Sequence, residues 1–222
     1  MEYRWLTNTN SIDIVVARYN ENMDWLLPLS DICTVYNKGD DMISDKYKKI
    51  YILENVGRES HTYLHHIIKN YDNLGKITLF TQANISDHIP KELPPLEYVS
   101  NLITSATIHG HSLNAYCHNV GSMSAHYDLK FADKWPKLDD TGMCFGEWLK
   151  KILPGQHNIP FGSIQWYKNG LFALDSNVIK RYPKEFYEKL AKYVDSHIDP
   201  EAGHYFERAW YEIFIGSYYN CE

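Results

Sequence analysis

The segment Ile12-Asp13-Ile14-Val15-Val16-Ala17-Arg18 is short, apolar and rich in β-branched residues, with Asn10-Ser11 before it and Tyr19-Asn20-Glu21 after it. Such a run reads as a buried strand ending in a polar loop, and its weak alternation points to a parallel sheet. Between Glu21 and Leu29, Met23, Leu26 and Leu27 recur at helical spacing, and Cys33–Tyr36 and Lys49–Leu53 are two further strand candidates. A β, α, β order is thus set early in the chain.

Leu64, Ile67, Ile68 and Tyr71 follow the i, i+3, i+4, i+7 rule, which predicts a helix opening at Asn55-Val56-Gly57-Arg58-Glu59-Ser60. The turn Asp72-Asn73-Leu74-Gly75 leads into a fourth strand, Ile77–Phe80, which runs into the polar segment Gln82–His88. From Pro90 to Pro160 the periodicity weakens, and short helices and long loops are expected. Regularity returns with a strand at Leu171–Leu174. A helix follows with Pro183 in its first turn and Phe186, Leu190, Tyr193 and Val194 on one face, then a last helix from about Gly203 to Phe214. This alternation predicts one α/β domain over 1–222, a mostly parallel, Rossmann-like sheet flanked by helices. Its ligand crevice is expected at the carboxyl ends of the strands. The Tyr218–Glu222 tail is expected to be loosely held.

Composition narrows the function. A chain of 222 residues with 44% hydrophobic and 23% charged residues is that of an ordinary globular protein. The formal charge of −6 and the scattered basic residues lack the footprint of a nucleic-acid binder. Apolar runs such as Ile14–Ala17 are far too short to span a bilayer, and Met1–Trp5 lacks the apolar core of a signal peptide, so a cytoplasmic protein is expected. Cys33, Cys117, Cys144 and Cys221 are too widely spaced for zinc or redox motifs and read as reduced thiols. The 18 Tyr, 8 Phe and 6 Trp would suit stacking on sugars or bases, and equally fill ordinary cores.

Several constellations could carry chemistry. The loop Tyr19-Asn20-Glu21 follows the first strand, where a Tyr can stack on a base while Asn and Glu accept from ribose or base groups; an ordinary helix-capping loop explains the same residues. Gly57-Arg58-Glu59 opens a helix, so close backbone approach, unpaired N–H groups and a guanidinium fork could clamp a phosphate or carboxylate, unless Arg58 merely pairs with Glu54 or Glu59. His61 and His65 have two-His metal spacing, but Thr62 stands where the metalloprotease pattern needs Glu; the pair reads as a polar helix face with His61 near the crevice. Gln82 could bond a hydroxyl or phosphate, and Asp87-His88 offers an oxygen and a nitrogen for a divalent cation, or caps a turn. His109-Gly110-His111 has no third ligand at a recognised spacing. On the last helix His204, Glu207, Arg208 and Tyr211 fall along one side, opposite Phe206, Trp210, Ile213 and Phe214. That stripe suits a general base held by a cation, or a solvated face with an i, i+4 pair.

The segments Asp13–Glu21 with Trp25, Asn55–Leu64, Phe80-Thr81-Gln82 with Asp87-His88, Gly170–Ala173 with Ser176, and Phe206–Trp210 occur in order along most of the chain. Together they resemble an uncharacterised-domain family of fungi, algae and large DNA viruses, whose layout is similar to glycosyltransferases of the GT-A fold. The resemblance implies a nucleotide-sugar donor and a glycan or other hydroxyl acceptor. It implies that the loop after strand one holds the nucleotide, that Mn²⁺ or Mg²⁺ sits on the diphosphate, and that a late carboxylate deprotonates the acceptor. Carried over, Tyr19, Asn20, Glu21, Arg58, Glu59, His61, Gln82, His204 and Arg208 would bind the donor, Asp87 and His88 would hold the metal, and Glu207 would be the base. The chain departs from that pattern where Gln82-Ala83-Asn84 replaces the expected Asp-x-Asp, leaving Arg58 and its helix N-terminus to carry the diphosphate. The rival readings are a metal-dependent hydrolase and a non-catalytic glycan-binding or degenerate transferase module. An AT-rich bias in the residues and the family's distribution hint at a large virus, hence a host cytoplasm.

Overall fold

The computed structural model describes residues 11–40, 45–47, 49–119, 141–153 and 163–216. Among these residues the main sheet has five strands: β1 (Ile12–Arg18), β2 (Cys33–Asn37), β3 (Lys49–Ile52), β4 (Ile77–Gln82) and β7 (Phe172–Asp175). Their order is β3-β2-β1-β4-β7, with β7 antiparallel to β4 and the other neighbours parallel. β1 sits in the middle, pairing Ile14 with Cys33 on one side and with Leu79 on the other. A central strand covered on both faces needs apolar side chains pointing both ways, which is why its alternation is weak. At the edge, β3 exposes Tyr51 and Ile52 and carries Lys49, a charge of the kind that blunts an open edge.

Alternating side chains divide the core into two layers. Val15, Tyr36, Phe80 and Phe172 face α1 (Arg58–Asn70), α3 (Phe145–Ile152), α5 (Lys184–Ala191) and α6 (Glu201–Phe214). Ile14, Val16, Val35, Leu79 and Ala173 face the 3₁₀ segment Asp24–Ile32 and α2 (Pro95–His109). A separate antiparallel pair, β5 (Ala115–Asn119) and β6 (Ser163–Tyr167), packs on α6, and the short α4 (Ser176–Ile179) follows β7.

Three expectations are corrected. The helix expected over Glu21–Leu29 is a 3₁₀ segment shifted to Asp24–Ile32. Asn22 accepts from the Asp24 amide at 2.7 Å, an Asx turn that delays its start, and Pro28 inside it removes a helical donor. The stretch expected to hold only short helices contains the 15-residue α2, which opens on Pro95 and closes on left-handed Gly110 (φ 81°). Its apolar set Val99, Leu102, Ile103 and Ala106 is helical in period, but Ser100, Thr104 and Thr107, which return their hydroxyls to the preceding turn, dilute the signal. Pro183 is the N-cap of α5 rather than a residue of its first turn. The Tyr218–Glu222 tail lies outside the described residues. Among the described residues no helix is long and apolar enough to cross a membrane.

Candidate functional site

The chain runs from β1 outward through β2 to β3, then returns to the other side of β1 as β4. The carboxyl ends of β1 and β4 therefore flank a topological switch point, where open α/β sheets form their ligand crevice. The residues that end the strands there are Arg18 on β1, Asn37 and then Lys38 on β2, and Gln82 on β4.

Arg18 is buried and holds the first loop together. Its Nη1 donates to Asn37 Oδ1 at 2.8 Å and to the Tyr19 carbonyl at 3.3 Å, and its Nε donates to the Glu21 carbonyl at 3.0 Å. Glu21 turns its carboxylate onto the Tyr19 amide at 2.7 Å, so it shapes the loop. That leaves the Tyr19 ring half exposed and Asn20 exposed at the rim. The loop lies hard against Gly39, where any Cβ would overlap the Tyr19 carbonyl and the Asn20 side chain. Trp25 Nε1 donates to the Ala83 carbonyl at 2.7 Å, tying this loop to the end of β4.

Opposite stands the start of α1. Gly57 (φ 62°) and Arg58 (φ 52°) are both left-handed, and the second is a position an L side chain rarely takes. A Cβ on Gly57 would overlap the Val194 carbonyl, and the Gly57 amide donates to the His197 carbonyl at 2.8 Å. Lys38 Nζ donates to the carbonyls of Val56 and Arg58, each at 2.6 Å. Burial lowers the Lys38 ammonium to about 8, with the nearby Glu59 charge opposing.

The Arg58 guanidinium reaches across to α6. Its Nη1 lies 2.6 Å from His204 Nδ1 and 3.7 Å from Asp199 Oδ1, while His204 Nε2 lies 2.9 Å from the same Asp199 oxygen. Burial works to raise the Asp199 carboxyl, but His204, Arg58 and His197 outweigh it and hold it below the ordinary value. Arg208 Nη1 donates to the His204 carbonyl at 3.0 Å.

Beneath this cluster is a buried acidic group. Glu59 is 7% exposed, its Oε2 lies 3.7 Å from Arg58 Nε, and its Oε1 has no hydrogen-bond partner among the described residues. Glu207 on α6 is pushed above the ordinary glutamate value, first by burial and then by the Glu59 charge, with Arg58 and Arg208 pulling it back. Burial likewise raises the Tyr63 hydroxyl, with Glu59 and Glu207 adding to it. Gln82 Nε2 donates to the carbonyl of Asn169, a left-handed residue (φ 58°) preceding Gly170, which packs near Glu59 and Tyr63. A carboxyl group held above its ordinary value by burial and a neighbouring negative charge binds a proton more readily, the property a general base uses.

A family model described as "Protein of unknown function (DUF3431)" matches residues 14–222. The chain belongs to this family. No curated protein and no solved structure matches it.

In this DUF3431 protein the expected residues thus fall into groups. Arg58, Glu59, His204, Glu207 and Arg208 come together, and Tyr19, Asn20, Glu21 and Gln82 line the adjoining strand ends. His61 lies one turn along α1 with Nδ1 buried and without a partner among the described residues; burial, then Lys38 and His65, lower it to about 4. Asp87 and His88 sit in the turn after β4, with Asp87 Oδ1 3.4 Å from His88 Nε2. Among the described residues no group of three or more His, Cys, Asp or Glu is placed to hold a metal ion. Of the α6 stripe, His204 and Tyr211 are buried while Glu207 and Arg208 are half-buried, so it is not a uniformly solvated face.

Lys38, Asp199 and Tyr63 were not foreseen. Lys38 follows the end of β2 as Tyr19 follows β1, so the rule that singled out one loop could have found it. Asp199 stands just before Pro200, the N-cap of α6, with no chemical motif around it.

Proposed function

We propose that this DUF3431 protein is a GT-A-like glycosyltransferase that moves a sugar from a nucleotide-sugar donor to a hydroxyl acceptor. In that reaction the acceptor oxygen attacks the anomeric carbon, its proton passes to a base, and the bond from that carbon to the diphosphate oxygen breaks. The observation that carries the reading is the half-buried Glu207 facing the charge of the buried Glu59 beside Arg58, on a helix start that Lys38 ties to the carboxyl end of β2. A carboxylate whose proton affinity is raised above the ordinary value is better suited to take the acceptor proton, and we assign that step to Glu207. Arg58 and the α1 N-terminus place positive charge where the diphosphate would leave. Tyr19 and Asn20 are exposed at the crevice rim and would meet the nucleoside, with Glu21 and Gln82 shaping the pocket. His204 and Arg208 act through Arg58 and the backbone of α6.

The Mn²⁺ or Mg²⁺ that the resemblance implies finds a poor donor set. Asp87 and His88 supply two atoms and the described residues add no third, so no step is routed through a metal.

The test is a thermal-shift screen of the purified protein against nucleoside diphosphates and nucleotide sugars, with and without Mn²⁺. Binding to the native state alone raises its stability by mass action. A shift of a few degrees with one nucleotide family, lost in Arg58→Ala, supports the reading. Turnover with that donor should fall by about 10² or more in Glu207→Gln while the shift persists. A shift with metal alone and none with any nucleotide overturns it in favour of a hydrolase, and sugar binding without turnover points to a non-catalytic module.

A further inference from the structure

We propose that Lys38 is a positioning residue of this site, an internal cation that clamps the left-handed Gly57–Arg58 turn and thereby aims the Arg58 guanidinium and seats Glu59. What the clamp serves rests on the transferase reading; the clamp itself does not.

Three observations support it. First, the turn is conformationally costly. Two consecutive left-handed residues, one of them an arginine, persist only where the surroundings over-determine them. Second, the anchoring is two-sided. On one side the Gly57 amide donates to the His197 carbonyl. On the other, the carbonyls of Val56 and Arg58, which flank Gly57, converge on Lys38 Nζ at 2.6 Å each, shorter than ordinary N–H···O bonds, in the direction a charged donor takes them. Third, the cation is mounted on a rigid support. The Lys38 amide donates to the Arg18 carbonyl at 2.8 Å, and the neighbouring Asn37 side chain accepts from Arg18 and donates to the Gly39 carbonyl. Lys38 therefore transmits the position of the β1 and β2 ends to the first turn of α1, from which Arg58 and Glu59 both project.

Arg58 needs such a device because its backbone and side chain are held from different elements. Its head is placed by His204 and Asp199, while its own carbonyl is placed by Lys38. Releasing the carbonyl would let the residue relax toward an ordinary right-handed helix start, which would re-aim the guanidinium.

The experiment compares the wild-type full chain with Lys38→Met and Lys38→Arg, first by hydrogen exchange without ligand. Amides of residues 56–61 should exchange at least about tenfold faster in Lys38→Met, since bonds to a charged group are lost, while β1 and β4 keep their protection. Lys38→Arg, which still presents several N–H donors, should restore most of that protection. Methionine fills the space of the lysine stem, so a purely space-filling role predicts no change in Lys38→Met, and that result would overturn the proposal. Equal loss in Lys38→Met and Lys38→Arg would overturn it too. Should Lys38→Met fail to fold, Lys38→Gln takes its place with the same expectation. In a second arm, the nucleotide that stabilises the wild type should give a smaller shift in Lys38→Met, and Lys38→Arg should recover it. Absence of any wild-type shift would count against the transferase reading, while the ligand-free exchange still decides the clamp.

Discussion

His204 and Arg58 come from helices far apart in sequence, yet Arg58 Nη1 lies 2.6 Å from His204 Nδ1, and Asp199 Oδ1 lies 2.9 Å from the other nitrogen of the same ring. The first turns of α1 and α6 are thus joined through one imidazole. The Asp199 carboxyl, held below its ordinary value, makes this link sensitive to acid. A depressed carboxyl contributes stability that is full above the unfolded-state pKa and lost as pH falls through the folded one. Asp199→Asn should therefore cost about 1 kcal/mol at neutral pH. Urea midpoints of the two proteins should converge as pH is lowered below the usual Asp range; parallel curves would show that the carboxylate does not sustain the link.

The left-handed turn gives a pair of opposed outcomes. Gly57→Ala adds a Cβ that meets the Val194 carbonyl at a φ of 62°, and should destabilise by about 2 kcal/mol or more. Arg58→Gly and Arg58→Ala remove the same guanidinium, but glycine tolerates a φ of 52° and alanine does not. The glycine variant should be the more stable by about 1 kcal/mol in chemical denaturation. Equal stabilities would mean that residue 58 leaves the left-handed region once its side chain is gone.

A second polar cluster lies inside the sheet layer, away from the crevice. His66 Nδ1 is 3.1 Å from the Tyr36 hydroxyl, and its Nε2 is 3.4 Å from Asp13 Oδ2. Burial lowers His66 to about 4, opposed by Asp13 and aided by His65 and Lys49. Between about pH 6.5 and 4 the unfolded chain binds a proton that the folded one refuses, so stability should fall with pH across that window, by on the order of 3 kcal/mol from this residue. His66→Gln should flatten the slope. An unchanged slope would place the proton uptake elsewhere, with His61 the next residue to substitute, since it is lowered to about 4 as well.

These particular residues show what the sequence could reveal. β1, β2 and β4 were legible because strands buried on both faces leave unbroken apolar runs, and α1 and α6 because their apolar periods are strong. The order β3-β2-β1-β4-β7 was not, since no local pattern encodes which strands pair or that β7 runs antiparallel. Arg58, Glu59 and Glu207 were found as residues of suitable type at helix starts and faces. Their convergence depends on contacts such as Arg58 with His204 across 146 positions, which periodicity does not reach. Lys38 shows a different gap. Its place after β2 makes it a site candidate by the strand-end rule, but only the two carbonyls turned toward it reveal what it does.

Glu207 supplies the prediction that joins stability to function. Its carboxyl is raised by burial and by the Glu59 charge, against Arg58 and Arg208. A raised carboxyl means that the folded protein retains a proton the unfolded chain releases, so stability falls as pH rises from the ordinary glutamate value through the folded one. Glutamine keeps the shape and removes the charge. Glu207→Gln should therefore match the wild type near pH 4 and exceed it at neutral pH, a sign opposite to that of most substitutions at partly buried polar positions. Under the transferase reading the same variant loses turnover, so a gain in stability at neutral pH should accompany the loss of activity, as at sites where function holds like charges together. Denaturant midpoints at pH 4 and pH 7.5 decide it. A Glu207→Gln protein less stable than wild type at the higher pH would mean that Arg58 and Arg208, not Glu59, dominate the surroundings of this carboxyl, and Glu207 would then be a paired structural charge instead of a base.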